Sequence, residues 1–252
     1  MLIRGEQGNF IDTANNYQAE KSEEIIGTWM RKRGIRDQLG KDYMKAISLS
    51  LSHVPCLIHT STDIEDLSRA NEYARAHGLR QFSVYQGRWS AARRDLEREI
   101  APMAEAEGMA VVACGVICSP VFMNSVQKCD NREQQLQMNE NEVRLGNVLQ
   151  AIADEKKVSP VCIGLAYVMR KQPYVFPLIP NPSAGAVQEC MRALMVALSE
   201  TDVARIEKAS PLQFGFPLDL LSWNGREASP WLPRAGGHID FVPQQEPIIP
   251  RS

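Results

Sequence analysis

The chain has 252 residues, with 28 Lys and Arg against 30 Asp and Glu and 44% hydrophobic residues. That length suits one large domain with a sizeable core, or two small ones, and the net charge of −2 argues against partners held mainly by charge, such as nucleic acid or an anionic membrane. No apolar run approaches the roughly 18 residues of a membrane span, and Met1 to Gly8 is too polar for a signal peptide.

Gly8-Asn9-Phe10-Ile11-Asp12 reads as a short buried strand. Ser22 can cap a helix whose first turn holds Glu23 and Glu24, whose apolar face is Ile25, Ile26 and Trp29, and which Gly34 can stop. Val54 to Ile58 is a candidate strand. Thr62-x-x-Glu65 is a capping box for a helix through Leu67, Ala70 and Ala74 to Gly78. Phe82 to Tyr85 is strand-like, Arg94 to Glu107 is helical but for Pro102, and Met109 to Cys114 is an apolar strand.

Asn124 to Asn141 is polar and predicts a surface loop or short helix. Val143 to Lys157 and Val161 to Lys171 predict two helices, the second mostly buried. Tyr174 to Ile179 is a strand bracketed by prolines, and helices follow at Ala186 to Leu198 and Glu200 to Ala209, the last capped by Ser199-x-x-Asp202. From Ser222 onward Pro and Gly dominate. The domain therefore spans residues 1–221, and residues 222–252 form an irregular tail.

Strands alternating with helices imply parallel βαβ units. No G-x-G-x-x-G follows the first strand, so the doubly wound dinucleotide fold lacks its usual signature and the (β/α)8 barrel is favoured. Five strands stand out, short of eight. The six cysteines (Cys56, Cys114, Cys118, Cys129, Cys162 and Cys190) form no C-x-x-C pair. They read as reduced core thiols in a cytoplasmic protein, not as metal ligands.

The sharpest chemical feature is Phe10-Ile11-Asp12-Thr13-Ala14-Asn15-Asn16-Tyr17. A carboxylate ends a strand and a phenol follows on the next loop, where a barrel places its chemistry. By spacing alone, Asp12 equally serves as a turn residue and Tyr17 as a packing group.

The wording of that run resembles aldo-keto reductases of the fungal aryl-alcohol dehydrogenase and norsolorinic acid reductase type. The resemblance extends through Arg36-Asp37-Gln38, Phe82-Ser83-Val84-Tyr85-Gln86-Gly87, Arg94-Asp95-Leu96-Glu97-Arg98, Ala166-Tyr167-Val168, Val175-Phe176-Pro177-Leu178 and Phe214-Gly215-Phe216-Pro217. It implies a (β/α)8 barrel, NADPH as cofactor and reduction of an aldehyde or ketone. The substrate it suggests is a bulky aromatic or terpenoid carbonyl of fungal secondary-metabolite biosynthesis. Tyr17 takes the place of the general acid, and Asp12 that of the acidic partner, which orients the phenol or touches the nicotinamide ribose of the cofactor. Gln86 matches the residue that contacts the nicotinamide. Thr60-Ser61 falls on the pair that holds its amide, and Gly115 and Val116 lie at the cofactor-facing loop.

Several family positions are altered. The strand that carries the family's catalytic Lys is absent between Arg36-Asp37-Gln38 and Lys41-Asp42-Tyr43. The strands expected between Ala46 and Val54 are absent too, and Met1 lies too close to Asp12 for a first strand and helix. The expected architecture is thus an incomplete barrel, lacking its first strand and helix and two or three later strands. His59, in Leu57-Ile58-His59, is a candidate for the catalytic His or else an ordinary strand residue. The glycine-rich phosphate loop is replaced by Cys118-Ser119-Pro120, the Gly-Gly-Arg-Lys that grips the adenosine 2′-phosphate by Pro180-Asn181-Pro182-Ser183, and the adenine-contacting Asn by Cys190.

Two readings follow. The chain is a working NADPH-dependent reductase of a small-molecule carbonyl, or a catalytically impaired, non-catalytic binding relative. Missing strands leave sheet edges that favour a homo-oligomer.

Overall fold

The computed structural model describes residues 10–11, 21–33, 40–41, 58–60, 64–118, 122, 139–179, 184–216 and 246–250. Asp12, Tyr17, Ser61, Cys56, Cys129, Pro180 to Ser183 and most of the expected tail lie outside them.

In chain order the elements are β1 (Phe10–Ile11), α1 (Ser22–Arg33), β2 (Gly40–Lys41), β3 (Ile58–Thr60), α2 (Ile64–Ala76) and β4 (Val84–Arg88). A 3-10 turn at Asp95–Glu97 leads to α3 (Ile100–Ala106), β5 (Ala110–Cys114), α4 (Glu140–Lys156), α5 (Pro160–Lys171) and β6 (Val175–Pro177). Then come α6 (Ala184–Met191), a 3-10 turn at Arg192–Met195 and α7 (Glu200–Ala209).

Strands β3, β4, β5 and β6 form one sheet in that order, each parallel to the next, while β1 and β2 form a separate parallel pair. A doubly wound sheet reverses its strand order at a switch point. This sheet advances without reversal, with a helix in every crossover, as a segment of a (β/α)8 barrel does. Six strands are present among the described residues, so the barrel is incomplete there, as expected. The strand not foreseen is β2, whose Gly40-Lys41 carries no apolar signal.

Local chemistry explains where the elements start and stop. The expected strand from Phe82 begins instead at Val84 and runs on to Arg88. The side chain of Asn71, buried on α2, takes both backbone groups of Phe82: Oδ1 accepts from its N–H at 2.8 Å and Nδ2 donates to its carbonyl at 3.4 Å. Helix α2 ends at Ala76, two residues before Gly78, whose φ of +65° suits glycine, with Leu79 N–H bonded to the Ala74 carbonyl at 2.8 Å. Pro102 sits in the first turn of α3, where its missing N–H costs nothing.

Helix α4 begins three residues earlier than its apolar pattern, because Asn139 and Glu142 form a reciprocal capping box. Ser199 and Asp202 do the same for α7, as predicted. The helix expected over Ala186 to Leu198 is α-helical only from Ala184 to Met191 and tightens to 3-10 geometry before Val196 turns extended.

The sheet has two faces, because successive side chains alternate. Tyr85, Val111, Ala113 and Val175 belong to the main apolar cluster, together with Leu149, Ile152, Ile163 and Leu165 of α4 and α5. They mark the helix-packed face. Gln86 and Val112 alternate with them, and Val112 is buried yet stands outside that cluster. They mark the opposite face, the interior of a barrel. Gly87 is required on the packed face: a Cβ there would meet the Tyr85 ring at 2.6 Å and Leu96 at 3.1 Å.

Among the described residues β6 is an outer strand. Val111 N–H bonds the Tyr174 carbonyl at 3.0 Å and Leu178 N–H bonds the Ala113 carbonyl at 2.8 Å. The alternating residues Val175 and Pro177 therefore turn their backbone groups away from β5. Pro177 has no N–H to offer a further strand, a usual way of blunting an edge.

Candidate functional site

The parallel register builds the site. Thr60 pairs with Gln86, Gln86 with Val112 and Val112 with Phe176, one row across four strands. At about 4.8 Å per strand the row spans roughly 14 Å. Gln86 is 7% exposed and Val112 3%, whereas Phe176 is 54% exposed. A buried amide and an open aromatic ring thus share the barrel-facing side. Two of the residues expected at a nicotinamide, Thr60 and Gln86, are brought to adjacent places by the strand pairing.

His59 falls in the neighbouring row, with Tyr85, Val111 and Val175. The other three members of that row lie on the helix-packed face. Tyr85 is a core residue whose hydroxyl is pushed to a higher pKa by burial, and next by Cys114.

At the C-terminal end of the strands Arg88 pairs with Cys114. Gly115 follows with φ of +71°, a conformation that favours glycine, and the Arg88 side chain lies over it, 3.6 Å from where a Cβ would stand. Cys118 N–H closes the turn onto the Gly115 carbonyl at 3.3 Å. The Val116 side chain is fully buried in the core, so only its backbone is available to a cofactor. Beyond the turn, buried Phe122 packs onto α5, where a Cβ on Gly164 would meet its ring at 2.5 Å.

Sequence reasoning missed a buried charged cluster behind this rim. Arg94 forks onto Glu97, with Nε to Oε1 at 3.0 Å and Nη2 to Oε2 at 2.8 Å, and its Nη1 donates to the Ser210 carbonyl at 2.9 Å. Lys171 Nζ reaches Glu97 Oε2 at 2.9 Å and also pairs with Glu207. Trp89 Nε1 donates to Glu97 Oε1 at 3.1 Å, and the Tyr167 hydroxyl reaches Glu97 at 3.3 Å and Glu207 at 3.4 Å.

Burial alone would raise the Glu97 carboxyl. The hydrogen bond from Arg94 and the charges of Lys171 and Arg94 outweigh it and hold Glu97 at about 2. Burial drives the Tyr167 hydroxyl well up, aided by Glu97. The cluster ties the segment after β4, which carries Trp89 and Arg94, to α5 and α7. The available signal was a Tyr inside the apolar run of α5 and an Arg-x-x-Glu pair in Arg94-Asp95-Leu96-Glu97.

The four described cysteines are thiols outside any disulfide. Cys162 and Cys190 are buried, and Cys114 and Cys118 partly so. Among the described residues no group of three or more His, Cys, Asp or Glu is placed to hold a metal ion. No described helix is long and apolar enough to cross a membrane.

Residues 57–211 match the aldo/keto reductase family profile. A norsolorinic acid reductase B of Dothistroma septosporum is 32% identical over 323 aligned positions, covering 96% of this chain and 81% of its own length. An aryl-alcohol dehydrogenase of Pestalotiopsis microspora is 32% identical, with 96% and 80% covered. An aldo-keto reductase of Emericella nidulans is 31% identical, with 84% and 71% covered. The 323 aligned positions exceed the 252 residues of this chain. The Dothistroma relative therefore carries internal segments that this chain lacks.

Proposed function

This chain belongs to the aldo/keto reductase family, and from that premise we propose that it binds NADPH and reduces the carbonyl of a bulky aromatic or terpenoid intermediate of fungal secondary metabolism. The names of the similar proteins support the substrate class: norsolorinic acid reductases and an aryl-alcohol dehydrogenase are among them. The observation that carries the cofactor reading is the buried amide of Gln86, in register with Thr60 on the barrel-facing side of the sheet. A primary amide both donates and accepts, and the carboxamide of a nicotinamide offers matching donors and acceptors. The nicotinamide end of a dinucleotide therefore fits the residues present.

NADPH, when bound, supplies hydride to the carbonyl carbon. Tyr17 donates the proton to the carbonyl oxygen. Its phenol is suited to this because an ordinary pKa near 10 keeps it protonated at neutral pH, and a donor aimed at a developing oxyanion is a large catalytic term. Asp12 orients the phenol, and as an anion without the family Lys it disfavours the phenolate. That favours reduction over alcohol oxidation, in which Tyr17 must accept a proton. Gln86 and Thr60 position the ring. The register favours Thr60 over His59 as the β3 residue acting beside Gln86, since His59 shares its row with core residues.

A second reading has its own support: the aligned length shows that segments present in a relative are missing here. On this reading the chain binds dinucleotide without turning over. Titrating NADPH fluorescence against the folded protein, then adding an aromatic aldehyde, separates the two. Saturation followed by NADPH consumption supports the reductase, saturation without consumption the binding protein, and no saturation at millimolar NADPH neither. Among the described residues β3 is the other outer strand of the sheet, and self-association is proposed there, since Pro177 blunts β6.

A further inference from the structure

If the dinucleotide reading above holds, the adenosine end of the same cofactor would meet a different surface. Selecting NADPH over NADH means recognising one additional phosphate dianion. That takes charge-assisted hydrogen bonds, most often from Arg or Lys. The part of the chain that the resemblance assigns to this task is the link from β6 into α6, and α6 itself.

From Gln172 through Met191 the sequence contains no Lys and no Arg. Pro180 and Pro182 also remove two backbone N–H donors from the link. The two cations that flank this stretch each have a carboxylate partner. Lys171 is 9% exposed and is held by Glu97 at 2.9 Å and by Glu207. Arg192 Nη1 is bound to Glu189 Oε2 at 3.1 Å.

The far end of α6 is turned to the core. The Cys190 side chain, at the position of the adenine-contacting Asn, is 5% exposed and belongs to the main apolar cluster. Beside it the Cys162 thiol donates to the Glu189 carbonyl at 3.2 Å and lies 3.5 Å from Glu189 Oε1. These contacts fix the last turn of α6 onto α5. Neither the Glu189 carboxylate, already paired, nor the buried Cys190 thiol attracts a phosphate.

We infer that this chain does not recognise the adenosine 2′-phosphate, so that it takes NADH and NADPH alike.

The test is equilibrium binding on the purified chain, by quenching of tryptophan fluorescence with NADH and NADPH in parallel at low ionic strength. The expected result is two saturable curves whose Kd values agree within about threefold, with little change in their ratio on adding salt. A tenfold or larger preference for NADPH overturns the inference while leaving the dinucleotide reading intact. No saturation by either nucleotide removes that reading and the inference with it. Installing the missing cations gives a second arm: the Pro182→Arg, Ser183→Lys double variant should tighten NADPH about tenfold and leave NADH unchanged. A wild-type chain that already matches the double variant on NADPH would also overturn the inference.

Discussion

Arg94 and Glu97, three residues apart, face each other as a fork on a fork, both only 8% exposed. Trp89, Tyr167 and Lys171 complete the shell around the same carboxylate. Removing one partner of a buried pair leaves the other charge uncompensated, at a cost of about 3–5 kcal/mol. Glu97→Ala should therefore lower the urea midpoint steeply, and Asp95→Ala, whose residue lies exposed next door, should not. Equal effects of the two substitutions would deny the cluster its structural role.

The same carboxylate sets an acid limit on stability. Its pKa is about 2 in the folded chain against an ordinary 4.5. A depressed folded pKa contributes stability that is fully present above the unfolded value and is lost as pH falls through the folded one. Stability should thus decline from about pH 4.5 toward pH 2, as read by thermal melts in steps across that range. In Glu97→Gln, which starts lower, this part of the slope should flatten.

Gly164 gives a packing test at the segment after β5. A methyl group there would stand 2.5 Å from the Phe122 ring, which is almost wholly buried. Overpacking of this kind costs about 1–3 kcal/mol, even though Ala is the better helix former. Gly164→Ala should lose stability, and pairing it with Phe122→Leu should restore part of it. Stabilisation by Gly164→Ala alone would show that Phe122 moves aside freely.

Much of the fold was legible because its signals are local. Ser199 and Asp202 cap α7 where a capping box predicts, and α5 spans its apolar run almost residue for residue. What escaped was set by distant partners. The start of β4 is decided by Asn71 on α2, which claims the backbone of Phe82. Strand β2 exists by pairing with β1, not by its own Gly40-Lys41. In the candidate site, Gln86 was readable from its resemblance, but its row with Thr60, Val112 and Phe176 is a product of register. No single strand carries that information. The Glu97 cluster joins residues from three separate stretches of the chain, so it too stayed hidden.

The proton donor can be separated from the binding residues. Tyr17→Phe removes only a hydroxyl, and general acid catalysis is typically worth about 10²–10⁴-fold. The variant should lose carbonyl reduction by that order while its NADPH titration stays unchanged. Retained turnover would remove Tyr17 from the chemistry.

The row beginning at Thr60 and Gln86 is proposed to hold a nicotinamide. The most direct measurement is NADPH affinity by fluorescence titration for the native chain and for Gln86→Ala, with circular dichroism confirming that both are folded. The native chain should saturate in the low micromolar range, and the variant should lose about tenfold or more, consistent with one or two hydrogen bonds of about 1 kcal/mol each. Unchanged affinity in a folded Gln86→Ala, or no binding by the native chain, would contradict it.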